Sequence, residues 1–230
     1  MVVAAPLDKP LLAKVIHFAY IRGQKQMDVL VIAATRAEIE PFLGLPEYQR
    51  RGLDTLITGV GMVAAALALG ERLAATRYDL LLNAGVAGSF DRTIPLGDVV
   101  WVVQDTFSEL GIEDGDQFVD SETAGLAPCT FQSGYRHTAV SNLRQCKGIT
   151  VNTVHGDDPA IGKITEQLSP DIESMEGAAV FQAAQHFGIP ALQVRAISNY
   201  VERRNKANWQ LAQAIANLNN WLVEFARTLE

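Results

Sequence analysis

Pro190-Ala-Leu-Gln-Val-Arg-Ala-Ile-Ser-Asn-Tyr200, with Ser174-Met-Glu-Gly177 just before it, decides how the rest of the chain is read. An apolar run that closes on Arg195, Ser198 and Asn199 predicts a buried strand delivering polar side chains to a site at its carboxyl end. Such a site implies chemistry on a small polar molecule.

Working outward, the chain from Met27 alternates strand and helix signals. Asp28 to Ala34 is a continuous apolar run fit for a strand buried on both faces, and Thr35 is placed to cap a helix starting near Arg36. A second strand, Asp54 to Thr58, runs into Gly59-Val60-Gly61 and then the alanine-rich helix Met62 to Ala75. Tyr78 to Asn83 reads as a third strand ending in Ala84-Gly85-Val86-Ala87-Gly88. Glycine after a strand lets backbone N–H groups approach a ligand or adopts positive φ.

Gly97 to Val103 is a further strand, extended toward Phe107, and 108–144 reads as a long irregular loop or lid centred on Glu113-Asp-Gly-Asp116, with a short helix at 139–143. Gly148 to Val154 resumes the strand pattern and meets His155-Gly156-Asp157. Helices are expected over Pro159–Leu168, Met175–Phe187 and Lys206–Leu229, the last with Leu211, Ile215, Leu218, Leu222, Phe225 and Leu229 on one apolar stripe. The pattern implies an α/β chain: a single three-layer α/β/α domain over 27–230 with a central mixed sheet and its ligand loops at strand carboxyl ends.

Composition narrows the function. The chain has 230 residues, 48% of them hydrophobic, enough for one sizeable core. A net charge of −7 speaks against nucleic-acid or anionic-membrane partners, which need a basic patch. Cys129 and Cys146 lack metal-ligand spacing and are too few for a disulfide framework, which fits a reducing cytoplasm. Leu11 to Ile21 suits an amphipathic helix but is about half of the ~20 residues that span a bilayer. Residues 1–26 read as an amino-terminal extension, or Met27 as the true start.

The histidines at 17, 137, 155 and 186 are scattered, so the site is expected to hold no metal. No phosphate-binding G-x-x-x-x-G-K-[ST] and no G-x-S-x-G nucleophile elbow is present, and no cofactor is expected. What remains is a set of acidic and amide side chains: Glu38, Glu176 and Asn199. On spacing alone, Glu38 and Glu176 are equally first-turn helix acids facing a favourable dipole, and Asn199 a turn residue.

Asn83-Ala-Gly-Val-Ala-Gly88 followed by Pro95-Leu-Gly-Asp-Val99, then Ser174-Met-Glu-Gly-Ala178 and Val194-Arg-Ala-Ile-Ser198, resembles the purine nucleoside phosphorylase and nucleosidase superfamily over nearly everything from Met27 onward. Ser198 to Asn205 with Trp209, and Glu109 to Gly115, are similar to one branch of it, the futalosine hydrolases. The resemblance implies hydrolysis of an N-glycosidic bond and a homo-oligomer.

By that resemblance Glu38 positions or deprotonates the attacking water, Glu176 accepts hydrogen bonds from the ribose hydroxyls, and Met175 packs on the sugar. Val60, Gly85 and Val86 border the substrate. Arg195 and Ser198 flank the strand end, Arg195 with a structural bridge as the equal alternative. Trp209 covers a 5′ extension or packs in the core, and Arg203 or Arg204 pairs with a benzoate or is a solvated surface charge. Asn199 departs from adenine-releasing relatives, which carry Asp there; a carboxamide has no proton to give but its NH₂ donates to N7 or O6. That predicts a 6-oxopurine leaving group. The rivals are a phosphorylase, with Arg36 near the first loop as its phosphate donor, and a non-catalytic nucleoside-binding protein.

Overall fold

The computed structural model describes residues 27–46, 50, 52–115 and 117–229. The helix expected at Leu11–Ile21 lies outside them. In chain order the elements are β1 (Val29–Ala33), α1 (Arg36–Leu43), β2 (Asp54–Ile57), α2 (Met62–Ala75), β3 (Leu80–Ser89), β4 (Val99–Phe107), β5 (Gly111–Asp114), β6 (Gln117–Asp120) and β7 (Thr130–Gln132). They continue with β8 (Arg144–Thr150), α3 (Asp158–Leu168), β9 (Ile172–Ser174), α4 (Gly177–Phe187), β10 (Ala191–Tyr200) and α5 (Leu211–Arg227).

Strands covered on both faces explain the continuous apolar runs. In β1, Val29 and Val31 join Ile39 and Phe42 of α1 and Leu218, Leu222 and Phe225 of α5. Its alternate residues Leu30 and Ile32 join Ala65, Leu69 and Leu73 of α2 and Val180 and Phe181 of α4. Two helical layers therefore sandwich a mixed sheet, as the alternation of elements implies.

The sheet departs from a flat central layer. β2, β1, β3 and β10 lie parallel in that order. β4 is antiparallel to β10 and parallel to β8, β8 is parallel to β9, and β9 returns antiparallel to β3. Five strands, β3-β10-β4-β8-β9, thus close into a ring, with β1 and β2 as a flange on β3. The ring places the ends of β3, β9 and β10 side by side.

Several boundaries correct the sequence reading. The third strand does not stop at Asn83; β3 runs through the glycines to Ser89 because β10 pairs with it along the whole length, Gly85 opposite Arg195 and Gly88 opposite Asn199. Neither glycine has positive φ, whereas Gly59 and Gly61 do, at 85° and 98°. The 108–144 stretch is not a structureless lid. It holds the β5–β6 hairpin, turning at Gly115, and β7 on the edge of β4. The short helix near 139–143 is a 3₁₀ turn over Thr138–Val140. β8 begins and ends four residues earlier than expected, β9 has no counterpart in the sequence reading, and the last helix starts at Leu211 after a 3₁₀ turn at Lys206–Asn208.

A buried polar knot seats α4 on the sheet. Asp105 accepts hydrogen bonds from Thr150 Oγ1 and Gln193 Nε2, each at 2.8 Å, and the Ala178 amide donates to Thr150 Oγ1 at 2.7 Å. Burial pushes the Asp105 carboxyl up to about 6, against these hydrogen bonds, which favour the charged form. Gly177 passes so close that a Cβ there would overlap both Asp105 and Gln193. Replacing it by alanine must break the knot or lift the helix. Gly177→Ala is expected to destabilise the fold by about 3 kcal/mol, read as a lowered midpoint in urea unfolding; an unchanged midpoint contradicts the tight seating.

Candidate active site

A cleft of about 320 Å³ opens at the carboxyl ends of β1, β3 and β10. Glu38, Val60, Val86, Met175, Glu176, Ser198, Asn199 and Trp209 line it. Segments separated by up to about 170 residues thus meet on one wall because their strands are neighbours in the ring. Three residues expected at the site lie elsewhere: Gly85 and Arg195 sit beneath the floor, and Arg204 borders a small side chamber.

Glu38 is held rigidly. Its Oε2 accepts from the Thr35 backbone N–H at 2.8 Å and from Thr35 Oγ1 at 2.9 Å, the return arm of a helix capping box. Its Oε1 accepts from the Val86 N–H at 3.1 Å. From behind, Asn219 of α5 accepts from the Phe42 amide and donates to the Glu38 carbonyl, both at 2.9 Å, so α1 cannot slide. The bland first-turn acid and the candidate base are therefore the same residue: the cap fixes the carboxylate that faces the cleft.

Beneath it lies Arg195, 2% exposed, whose Nη1 is 3.4 Å from Asn83 Oδ1. A Cβ at Gly85 would overlap Arg195 Nη1 and come within 2.8 Å of Glu38 Oε1. Gly85 is glycine to let the buried Arg195 guanidinium and the Glu38 carboxylate share that space, which is a different reason from backbone freedom. Arg195 Nε and Nη2 are buried with no hydrogen-bond partner among the described residues, so the guanidinium keeps donors to spare.

Glu176, 8% exposed, precedes α4 and accepts from the Gly61 N–H at 2.8 Å. Its carboxyl is raised above the ordinary value, chiefly by burial and additionally by Glu38; Arg195 and the Gly61 hydrogen bond oppose the shift. Two carboxylates and one arginine thus form a coupled set under the cleft. A developing positive charge between the carboxylates is stabilised there.

At the other end, Ser198 Oγ donates to Asn199 Oδ1 at 2.8 Å. That contact fixes the amide orientation: the carbonyl faces Ser198, and the NH₂, which has two N–H donors, gives one to the Tyr200 carbonyl at 3.0 Å. The Gln210 amide donates to the Ser198 carbonyl at 2.8 Å and ties the following loop to the strand end. Trp209 on that loop carries the Arg204 guanidinium over its ring at 5.2 Å. Arg203 is exposed.

Sequence reasoning missed a part-buried pair at this end. Glu173 of β9 accepts from the His155 backbone N–H at 3.0 Å and meets His155 Nδ1 at 2.6 Å. A second chamber of about 60 Å³ joins the cleft here, bordered by both residues and by Asn199. A carboxylate between Ile172 and Ser174 was the available signal. Leu211 and Ile215, read in the sequence as part of the last helix's apolar stripe, both border the cleft.

Comparison with known proteins agrees with this geometry. The Phosphorylase superfamily profile matches residues 52–230. A futalosine hydrolase of Streptomyces coelicolor is 32% identical over 189 residues, covering 78% of this chain and 80% of the relative. A second, from Thermus thermophilus, is 27% identical over 214 residues, covering 82% and 91%. Among solved structures, the 5′-methylthioadenosine/S-adenosylhomocysteine nucleosidase of Neisseria meningitidis, in complex with methylthio-immucillin-A, superposes with a TM-score of 0.71 at 19% identity, covering 87% of this chain and 99% of that one. With a family match over more than three quarters of its length and the sheet to go with it, this chain belongs to the phosphorylase superfamily.

Proposed function

We propose that the chain is a nucleosidase that hydrolyses futalosine to hypoxanthine and dehypoxanthine futalosine, a step of the alternative route to menaquinone. The observation that carries this reading is one cleft lined by Glu38, Glu176 and the oriented carboxamide of Asn199. Breaking an N-glycosidic bond passes through an oxocarbenium-like sugar, which needs a water below C1′, anionic surroundings and help for the departing base. Glu38 takes the water's proton, Glu176 holds the ribose hydroxyls, and Met175 packs on the sugar. Asn199 donates its NH₂ to N7 or O6 of a 6-oxopurine, whereas adenine keeps the N7 acceptor but carries an amine donor at position 6.

Hydrolysis is favoured over phosphorolysis by charge. Among the described residues that border the main cleft there is no arginine or lysine, while Glu38, Glu173 and Glu176 all do so. Arg36, the tempting phosphate donor, is paired with Glu40 at 2.5 Å on the exposed face of α1. Arg204, seated over Trp209 at the chamber mouth, suits the benzoate of futalosine.

The functional unit is residues 27–230, with 1–26 as an extension, working as a homo-oligomer. An apolar groove of about 410 Å³ between α2 and Leu110 supports subunit pairing, with Val63 and Leu67 68% and 71% exposed on its rim. No described helix is long and apolar enough to cross a membrane. Cys129 and Cys146 are both free and buried, which supports a cytoplasmic setting.

Chromatography of products after incubation with futalosine, aminodeoxyfutalosine, methylthioadenosine and inosine tests the assignment. Futalosine is expected to be consumed fastest with release of hypoxanthine; faster adenine release from methylthioadenosine contradicts it, and binding without product supports a mere carrier. Asn199→Asp is expected to lower hypoxanthine release by about tenfold or more, one hydrogen bond at the leaving group, and to gain adenine release. Unchanged hypoxanthine release with no gain on adenine nucleosides contradicts the role given to Asn199.

A further inference from the structure

Asn199 leaves one chemical requirement unmet. When the C1′–N9 bond breaks, its electron pair goes to the purine, and a neutral purine leaves only if a proton arrives. A carboxamide can hydrogen-bond but cannot deliver that proton. The chamber beside Asn199 holds a group that can.

Gly88 of β3 has Asn199 of β10 as its partner on one edge and Glu173 of β9 on the other. A Cβ at Gly88 would lie 3.2 Å from Asn199 Nδ2 and 3.6 Å from Glu173 Cγ, so the two side chains flank the same point. Glu173 is 4% exposed and grips His155 through both the backbone N–H and Nδ1. The Phe90 ring stands edge-on to the imidazole at 6.2 Å. With Nδ1 committed to the carboxylate, Nε2 is the free nitrogen and has no hydrogen bond among the described residues. The ring is 15% exposed and borders the chamber that adjoins the cleft at Asn199 and Trp209. An imidazole oriented by a buried carboxylate, with its second nitrogen open to a ligand cavity, is the arrangement of a general acid.

We infer that His155, oriented by Glu173, delivers through Nε2 the proton that the departing purine requires, while Asn199 holds the base in place. The steps balance. Water adds to C1′ and gives its proton to Glu38, the C1′–N9 pair goes to the purine, and His155 protonates a purine nitrogen. After product release Glu38 returns its proton to solvent and His155 takes one up. This rests on the nucleosidase reading above. Glu173 acts only through His155 and is a positioning residue.

The test is the pH dependence of kcat and KM for hypoxanthine release from futalosine by the full chain, His155→Gln and Glu173→Gln. Glutamine keeps hydrogen bonding at 155 and removes the transferable proton. The titratable and charged groups facing His155 are Glu173 from β9, Tyr200 from β10, and Glu202 and Arg204 from the segment after it. The expected result is a kcat lowered about 100-fold in His155→Gln, KM within about threefold, and loss of the alkaline limb of the kcat profile. Glu173→Gln should lower kcat by about tenfold with the alkaline limb retained. An alkaline limb that persists in His155→Gln, a kcat within threefold of the full chain, or equal losses in kcat and affinity would each overturn the inference. Because Glu173→Gln retains the imidazole, an unchanged kcat there removes the positioning role even where His155→Gln folds poorly. No purine release by the unsubstituted chain refutes the hydrolase reading itself, and the proton donor with it; normal release with unmoved variants refutes the proton donor alone.

Discussion

The parallel pairing of β3 with β10 is the constraint on which the site depends. It runs from Leu81 to Ser89 of β3 and from Ala191 to Tyr200 of β10, to the ends of both strands. Because the two backbones stay paired to Tyr200, with one register shift between Ile197 and Asn199, everything between them must fit a strand-to-strand gap. Gly85 and Gly88 make that fit possible, one clearing room for Arg195 and Glu38, the other for Asn199 and Glu173. Close packing leaves no slack at such points, so the glycines and the functional groups are one design decision.

The same pairing concentrates charge that would otherwise be costly. Arg195 is almost fully buried, and its charge is felt by both Glu176 and Asp105. A buried cation with unpaired donors is unfavourable alone and acceptable among carboxylates. Burial and the neighbouring Glu38 push the Glu176 carboxyl up, and Arg195 opposes that shift. The cluster makes sense as a preorganised environment for a cationic sugar, where the stabilising charges are in place before the bond breaks.

How far this was legible in the sequence depended on whether the signal was local. α2 was read to the residue from its alanine-rich composition, and Thr35 marked the start of α1. Glu38, Glu176 and Asn199 stood out because each sits at the join of a strand and a loop or helix, and motif resemblance gave them roles. The continuation of β3 was hidden because glycine weakens strand propensity and its partner strand lies about 110 residues away. β9 has only three residues, too few for any period to show, and the β5–β6 hairpin has Gly111–Asp114 exposed on both faces, so no alternation marks it. The His155–Glu173 pair was invisible for the first of these reasons: its two residues meet only because β9 closes the ring against β3.

Water against phosphate as the attacking group separates the proposed activity from that of a superfamily that takes its name from phosphorolysis. The most direct measurement is the rate of hypoxanthine release from futalosine as inorganic phosphate is raised from zero, with the sugar product identified by mass spectrometry. A cleft bordered by Glu38, Glu173 and Glu176, with Arg195 buried beneath its floor, predicts full activity without phosphate and a free sugar hydroxyl at C1′. A rate that starts near zero and climbs with phosphate, yielding a sugar 1-phosphate, would contradict it.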